Sequence, residues 1–150
     1  MKKNLLHLIS ALFFLVMAAG AQAMDHSTMA GMEMTGNDIM LPAATVNGVK
    51  AMAQLRDTSK AMAAAGMAMT HHFMITFTDA ATGKPIDTGV VAVKVIDPAG
   101  KKTEAAKMMA MEGSFGADVA LSQKGKYMFE VGTKLGNGEK RQFRFEYMVK

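Results

Sequence analysis

From residue 45 to residue 149 the apolar side chains keep returning at every second position. That period is the period of a β-strand, in which alternate residues point to opposite faces. The last ten residues, "RQFRFEYMVK", set Phe143, Phe145, Tyr147 and Val149 on one face and Arg144 and Glu146 on the other. The same alternation runs through "TVNGVKAMAQL" (45–55), with Val49, Ala51, Ala53 and Leu55 together. It runs through "MAMTHHFMITFTD" (67–79), where Phe73, Ile75 and Phe77 oppose His72, Met74, Thr76 and Thr78. Three further runs repeat it: Val91, Val93 and Val95; Phe115, Ala117, Val119 and Leu121; Tyr127, Phe129 and Val131. "KTEAAKMMAM" (102–111) is weaker, and its place between two clear strands assigns it as a strand.

Turn signals separate these runs: "ATGKP" (81–85), the Pro-Ala-Gly after Asp97, a Lys-Gly pair, and "GNGEK" (136–140). One segment departs from the pattern. "DTSKAMAAAG" (57–66) reads as a short helix over about 57–65, capped by Asp57 or Thr58 and stopped by Gly66. About seven short strands with one apolar face each pack most economically as two antiparallel sheets. The expected fold is therefore all-β, an immunoglobulin-like sandwich. The chain has no Cys and no Trp, so the core alone must hold the sheets together.

The first 42 residues belong to none of this. Lys2 and Lys3 precede the apolar run "LLHLISALFFLVMAAG", and "AQA" at 21–23 has the small-x-small form of a cleavage site. Residues 1–23 thus read as a secretory signal peptide, too short for a spanning helix. The expected location is the periplasm. Residues 24–42, "MDHSTMAGMEMTGNDIMLP", carry no apolar period and are expected to be a disordered, Met-rich tail. The sandwich domain is expected over 43–150, with no second domain.

Charge excludes several partners. The chain has 17 Lys+Arg against 13 Asp+Glu, and two of the Lys lie in the leader, which leaves about +2 on the exported part. No basic cluster with interleaved aromatics suggests nucleic acid, and no basic amphipathic helix suggests a membrane surface. A nucleophile elbow, a phosphate loop, a dinucleotide glycine motif and a Cys nucleophile are all missing, so the reading is a binding protein and not an enzyme. Scattered carboxylates without a calcium loop argue against calcium, and zinc would want Cys or more His.

Methionine is the unusual residue. Of 17 in the chain, Met1 and Met17 fall in the leader. Thioethers are soft ligands that select Cu(I). Three groups are candidates. In the tail, cleavage after Ala23 would expose Met24-Asp25-His26, whose amine, amide and imidazole nitrogens suit Cu(II); Met29, Met32 and Met34 follow at short spacings suited to Cu(I). In "GMAMTHHFM", Met67, Met69 and His71 would share one face of a strand, with His72 and Met74 an exposed pair on the other. In "KMMAME", Met109 and Met111 share a face and Met108 opposes them. Each group also has an ordinary reading: a polar linker for the tail, and adaptable packing for the strand methionines. Met52, Met62, Met128 and Met148 read as packing or surface residues.

Several of these elements together resemble the YtkA-like family of exported β-sandwich domains. They are the G-x-P turn at Gly83–Pro85, the apolar strand 89–96, the Met-bearing connection 108–111, and the runs Gly113–Val119 and Gly125–Val131. The resemblance covers about 70–150 and implies the sandwich fold. It also implies copper handling near heme–copper oxidase components, with Met108, Met109 and Met111 as candidate ligands.

The expected function is that of an exported copper-binding protein. It would buffer or carry Cu(I) or Cu(II) and pass the ion to an envelope copper-trafficking or oxidase-assembly partner. The alternative is a non-metal interaction module accessory to an envelope complex. A weaker third reading is a sink for methionine oxidation.

Overall fold

Residues 38–136 and 138–150 are described by this computed structural model, and they are built mainly of strands. In chain order these are β1 (Asp38–Met40), β2 (Ala44–Val46), β3 (Val49–Asp57), β4 (His71–Asp79) and β5 (Gly89–Ile96). They continue with β6 (Ala106–Lys107), β7 (Met109–Met111), β8 (Ser114–Val119), β9 (Gly125–Leu135) and β10 (Lys140–Val149). One helix, α1 (Ser59–Ala64), interrupts them.

The strands form two antiparallel sheets. Sheet 1 runs β1-β3-β4-β8-β7, with β2 also paired to β3; sheet 2 runs β10-β9-β5-β6. The all-β sandwich expected from the alternation is the observed fold. The strand count is higher than seven because two expected strands are each divided and β1 is added ahead of them. The 45–55 run is a hairpin: Asn47 and Gly48 both have positive φ, 45° and 73°, the requirement of a two-residue turn whose twist suits its strands. Asn-Gly is a strong hairpin signal, and here it outranks the alternation that spans it.

The second division lies in 102–111. β6 pairs with β5 in sheet 2, while β7 pairs with β8 in sheet 1, so the chain changes sheets at Met108. The Met108 amide donates to the Val91 carbonyl at 2.8 Å and its side chain is buried in the core. The crossing inverts the pattern: Met108 goes in, and Met109 and Met111 go out.

The order of the chain also begins earlier than residue 43. β1 pairs with β3 in register, Asp38 opposite Arg56 and Met40 opposite Gln54, and Leu41 is buried in the core. Arg56 grips the Asp38 carboxylate with two nitrogens, at 2.7 and 2.9 Å. Those hydrogen bonds hold the Asp38 carboxyl below its usual range, although burial opposes them. The helix is close to its expected place. Thr58 holds the N-cap position without a side-chain cap bond, Asp57 before it accepts from the Ser59 amide at 2.8 Å, and Gly66, with φ of 72°, follows the helix end.

Between the sheets lies an aromatic core. Phe73 on β4 stacks on Phe129 of β9, with centroids 4.8 Å apart, and meets Phe145 of β10 at 6.4 Å. Phe77 meets Phe115 and Phe143 at 5.8 and 5.4 Å. These contacts join the sheets with no covalent bond. Phe73→Ala should lower the unfolding free energy by about 3–5 kcal/mol, the usual cost of emptying an aromatic core position. Urea denaturation followed by circular dichroism reads that loss, and a change below about 1 kcal/mol would contradict this account of the core.

Candidate metal centre

Because Phe73, Ile75 and Phe77 are turned inward, period two turns His72, Met74 and Thr76 outward on β4. Register then decides their neighbours. His72 lies opposite Arg56 on β3 and Asp118 on β8; Met74 lies opposite Gln54 and Gly116. On the far side of β8, Gly116 is opposite Met109, and Ser114 is opposite Met111. Gly116 thus has Met74 on one flank and Met109 on the other. Directly opposed residues in such ladders have Cα atoms roughly 4.5–5.5 Å apart.

Two more side chains reach over Gly116. A Cβ placed on it would come within 2.7 Å of His72 Nε2 and 2.9 Å of Met111 Sδ. One imidazole nitrogen and one thioether sulfur therefore meet above the same backbone atom. For comparison, zinc bonds are about 2.0–2.1 Å to imidazole nitrogen and about 2.3 Å to a cysteine thiolate. A soft ion in this space would have both atoms as donors. Gly116 has no positive φ that would require glycine, so what its missing side chain provides is this space.

The other nitrogen of His72 is occupied. Nδ1 lies 2.7 Å from Asp118 Oδ1. A carboxylate accepts, so the neutral ring carries its proton on Nδ1 and presents the Nε2 lone pair to the space over Gly116. That is the arrangement in which histidine usually meets a metal, with the carboxylate fixing tautomer and ring orientation. The Gln54 amide donates to Met74 Sδ at 3.8 Å. Met111 is 47% exposed and Met109 74% exposed, so sulfur is available at the surface.

The outer face of sheet 2 makes a useful contrast. There Lys102 donates to Glu130 at 2.7 Å, Arg144 stands 3.4 Å from the same carboxylate, and Lys126 pairs with Glu146. Those bonds, led by Lys102, hold the Glu130 carboxyl below its usual range. That face is an ordinary solvated, charged surface. The outer face of sheet 1 carries its own ion pairs, Arg56–Asp38 and His72–Asp118, and more thioethers, Met40, Met52, Met74, Met109 and Met111, against Met128 and Met148 on sheet 2.

Other expected ligands fall elsewhere. Met67 and Met69 precede β4, which starts at His71, and both are exposed. They do not continue a strand face with His71. His71 points inward at the rim of the core, 6.2 Å from the Tyr147 ring, with the Thr70 hydroxyl 2.8 Å from Nδ1. Burial pushes the His71 imidazole pKa down, partly offset by Asp57. Met108 is core. Met24, His26, Met29, Met32 and Met34 lie outside the described residues. What sequence reasoning missed is Gly116 and Asp118. Their role follows from pairing between β4 and β8, 42 residues apart at Met74 and Gly116, and no local signal carries it. Among the described residues no three His, Cys, Asp or Glu side chains converge as a metal cage.

No protein-family model matches the chain, the YtkA-like resemblance included, and no curated protein matches it. Solved structures do. A DUF4426 family protein from Pseudomonas aeruginosa superposes with a TM-score of 0.55 at 16% identity, covering 73% of this chain and 94% of that one. The PmoD soluble domain from Methylocystis sp. gives 0.41 at 12% identity, covering 72% and 96%. The first of these likenesses supports the sandwich fold. No described helix is long and apolar enough to cross a membrane.

Asp118→Ala should release the His72 tautomer. In nitrogen-15 NMR of the native chain at pH 8, His72 should show protonated Nδ1 and bare Nε2. The variant should shift toward protonated Nε2, and an unchanged spectrum would deny Asp118 its orienting role.

Proposed function

We propose that this protein is an exported, periplasmic copper-binding protein. It holds Cu(I) on the outer face of sheet 1 and acts as a carrier or buffer, not as an enzyme. The observation that supports the reading most is the space over Gly116, into which His72 Nε2 and Met111 Sδ both project, with Met74 and Met109 on its flanks.

The donor set selects the ion. Thioether sulfur is soft and neutral, so it favours Cu(I) over zinc, calcium or magnesium. Imidazole adds a stronger nitrogen donor, fixed in advance by Asp118. Neutral ligands leave the bound ion with its own charge, and each sulfur bond is weak enough to be exchanged for one from a partner. The site is at the surface and near the β7 edge of the sheet, where an acceptor's ligands can reach it. A buried site would have to open first. These properties suit capture and transfer of an ion to an envelope trafficking or oxidase-assembly partner.

An anaerobic Cu(I) competition titration tests this. The native chain should bind with sub-micromolar affinity. His72→Ala and Met111→Leu should each weaken binding by about tenfold or more, while Asp118→Ala should cost about 10–100-fold. Gly116→Ala should also weaken binding, because its methyl fills the space, yet leave the thermal midpoint nearly unchanged, since only the ends of His72 and Met111 must move. Met67→Leu with Met69→Leu should change nothing. A native chain that takes up no Cu(I) overturns the copper reading, and the exposed sulfur face then belongs to an interaction module.

A further inference from the structure

Sulfur gathers at a second place on the outer face of sheet 1, on its β1 side and away from Gly116. Ile39 and Leu41 turn toward the core at β1, and Ala51, Ala53 and Leu55 do so on β3. Period two therefore turns Met40, Met52 and Gln54 outward, onto the face that carries Met74. Register puts Gln54 at the centre of the group. It lies opposite Met40 on one flank and opposite Met74 on the other. Met52 comes two residues before Gln54 on the same face of the same strand, so it is the diagonal neighbour of both Met40 and Met74. Opposed residues have Cα atoms about 4.5–5.5 Å apart and diagonal ones about 7–8 Å, a gap that long side chains span.

The Met74 sulfur is already held. The Gln54 amide nitrogen donates to Met74 Sδ at 3.8 Å and so ties it to β3. A thioether sulfur has two lone pairs, and this bond uses one. Met74 is 5% exposed and Gln54 8%, whereas Met40 and Met52 are 42% and 37% exposed. Two flexible thioethers thus stand open to arriving ions beside a third that is fixed. The neighbouring cations leave the place neutral. Arg56, the next outward residue beyond Gln54, is gripped by the Asp38 carboxylate through two nitrogens. Lys50, the next beyond Met52, is exposed and its ammonium can stay in water.

We propose that Met40, Met52 and Met74 form a second soft-metal site, which takes one Cu(I) ion on three thioethers around Gln54. The proposal goes beyond the function argued above, because its donor set contains no nitrogen and neither of the atoms that meet over Gly116. Three neutral sulfurs suit a soft monovalent ion and offer little to zinc or Cu(II). Gln54 acts as a positioning residue through its bond to Met74. The two sites are centred on β3 and β8, two strand spacings or roughly 10 Å apart, with β4 between them. One face of the sandwich then carries two soft ions.

The test is residue-resolved NMR of the whole chain labelled with methyl-carbon-13 methionine, the methyl signals being assigned by single Met→Leu variants. Cu(I) is supplied anaerobically as its acetonitrile complex, and nitrogen-15 signals of His72 are followed in parallel. Leu nearly conserves the volume of Met, and circular dichroism checks that each variant is folded. The Met40, Met52 and Met74 methyls should shift together and saturate as one event, and zinc should not move them. Met52→Leu should weaken the Met40 response about tenfold or more and leave the His72 response unchanged. If Met40 and Met52 stay still while His72 responds, the second site is wrong and the copper reading survives. If Met40 and Met52 shift while His72 is silent, the second site stands and the site over Gly116 falls. Silence at all of them defeats both. A Met40 response that Met52→Leu leaves untouched also overturns the three-sulfur arrangement.

Discussion

The contact of Phe73 with Phe129 and Phe145 fixes everything else in this molecule. β4 is the middle strand of sheet 1, with β3 and β8 on its two sides. Once Phe73, Ile75 and Phe77 are committed to the core, a slip of one residue is forbidden, because it would drive His72 and Met74 into apolar surroundings and the aromatics into water. The identity of the outer face is thus a by-product of core packing. No energy has to be spent on placing His72 and Met74 outward.

The same economy runs across the sheet. β8 is held by Phe115 and Val119 in the core, so Ser114, Gly116 and Asp118 are outward. Met108 anchors the crossing between sheets, so its neighbours Met109 and Met111 are outward on β7. Three strands fixed by separate core residues deliver donors to one small area. The sandwich is a rigid frame, and precision at the site comes from strands and not from loops. Asp118 adds the last element, a carboxylate 2.7 Å from His72 Nδ1.

The two outer faces show how differently one fold can use its surface. Sheet 2 carries interleaved Lys, Arg and Glu: the Lys126–Glu146 pair is exposed and contributes little stability, while Lys102 and Arg144 share the largely buried Glu130 carboxylate. Sheet 1 carries more oxidisable sulfur than core packing demands, since Met40, Met52, Met109 and Met111 are all exposed.

The sequence by itself determined the sandwich, because period two over the runs ending in Phe77, Val95, Val119, Val131 and Val149 depends only on local alternation. It determined the inward and outward residues of β4, and it drew attention to Met and His as the chemistry-bearing types. Only the tertiary structure decided which of them meet. Met67, Met69 and His71 are neighbours in sequence, yet the strand begins at His71 and turns it to the core rim. His72 and Met111 are 39 residues apart, and inter-strand register brings them together over Gly116. Register is set by aromatic packing across the sheets and by the sheet change at Met108. Those are long-range contacts, and no local pattern of residues encodes them.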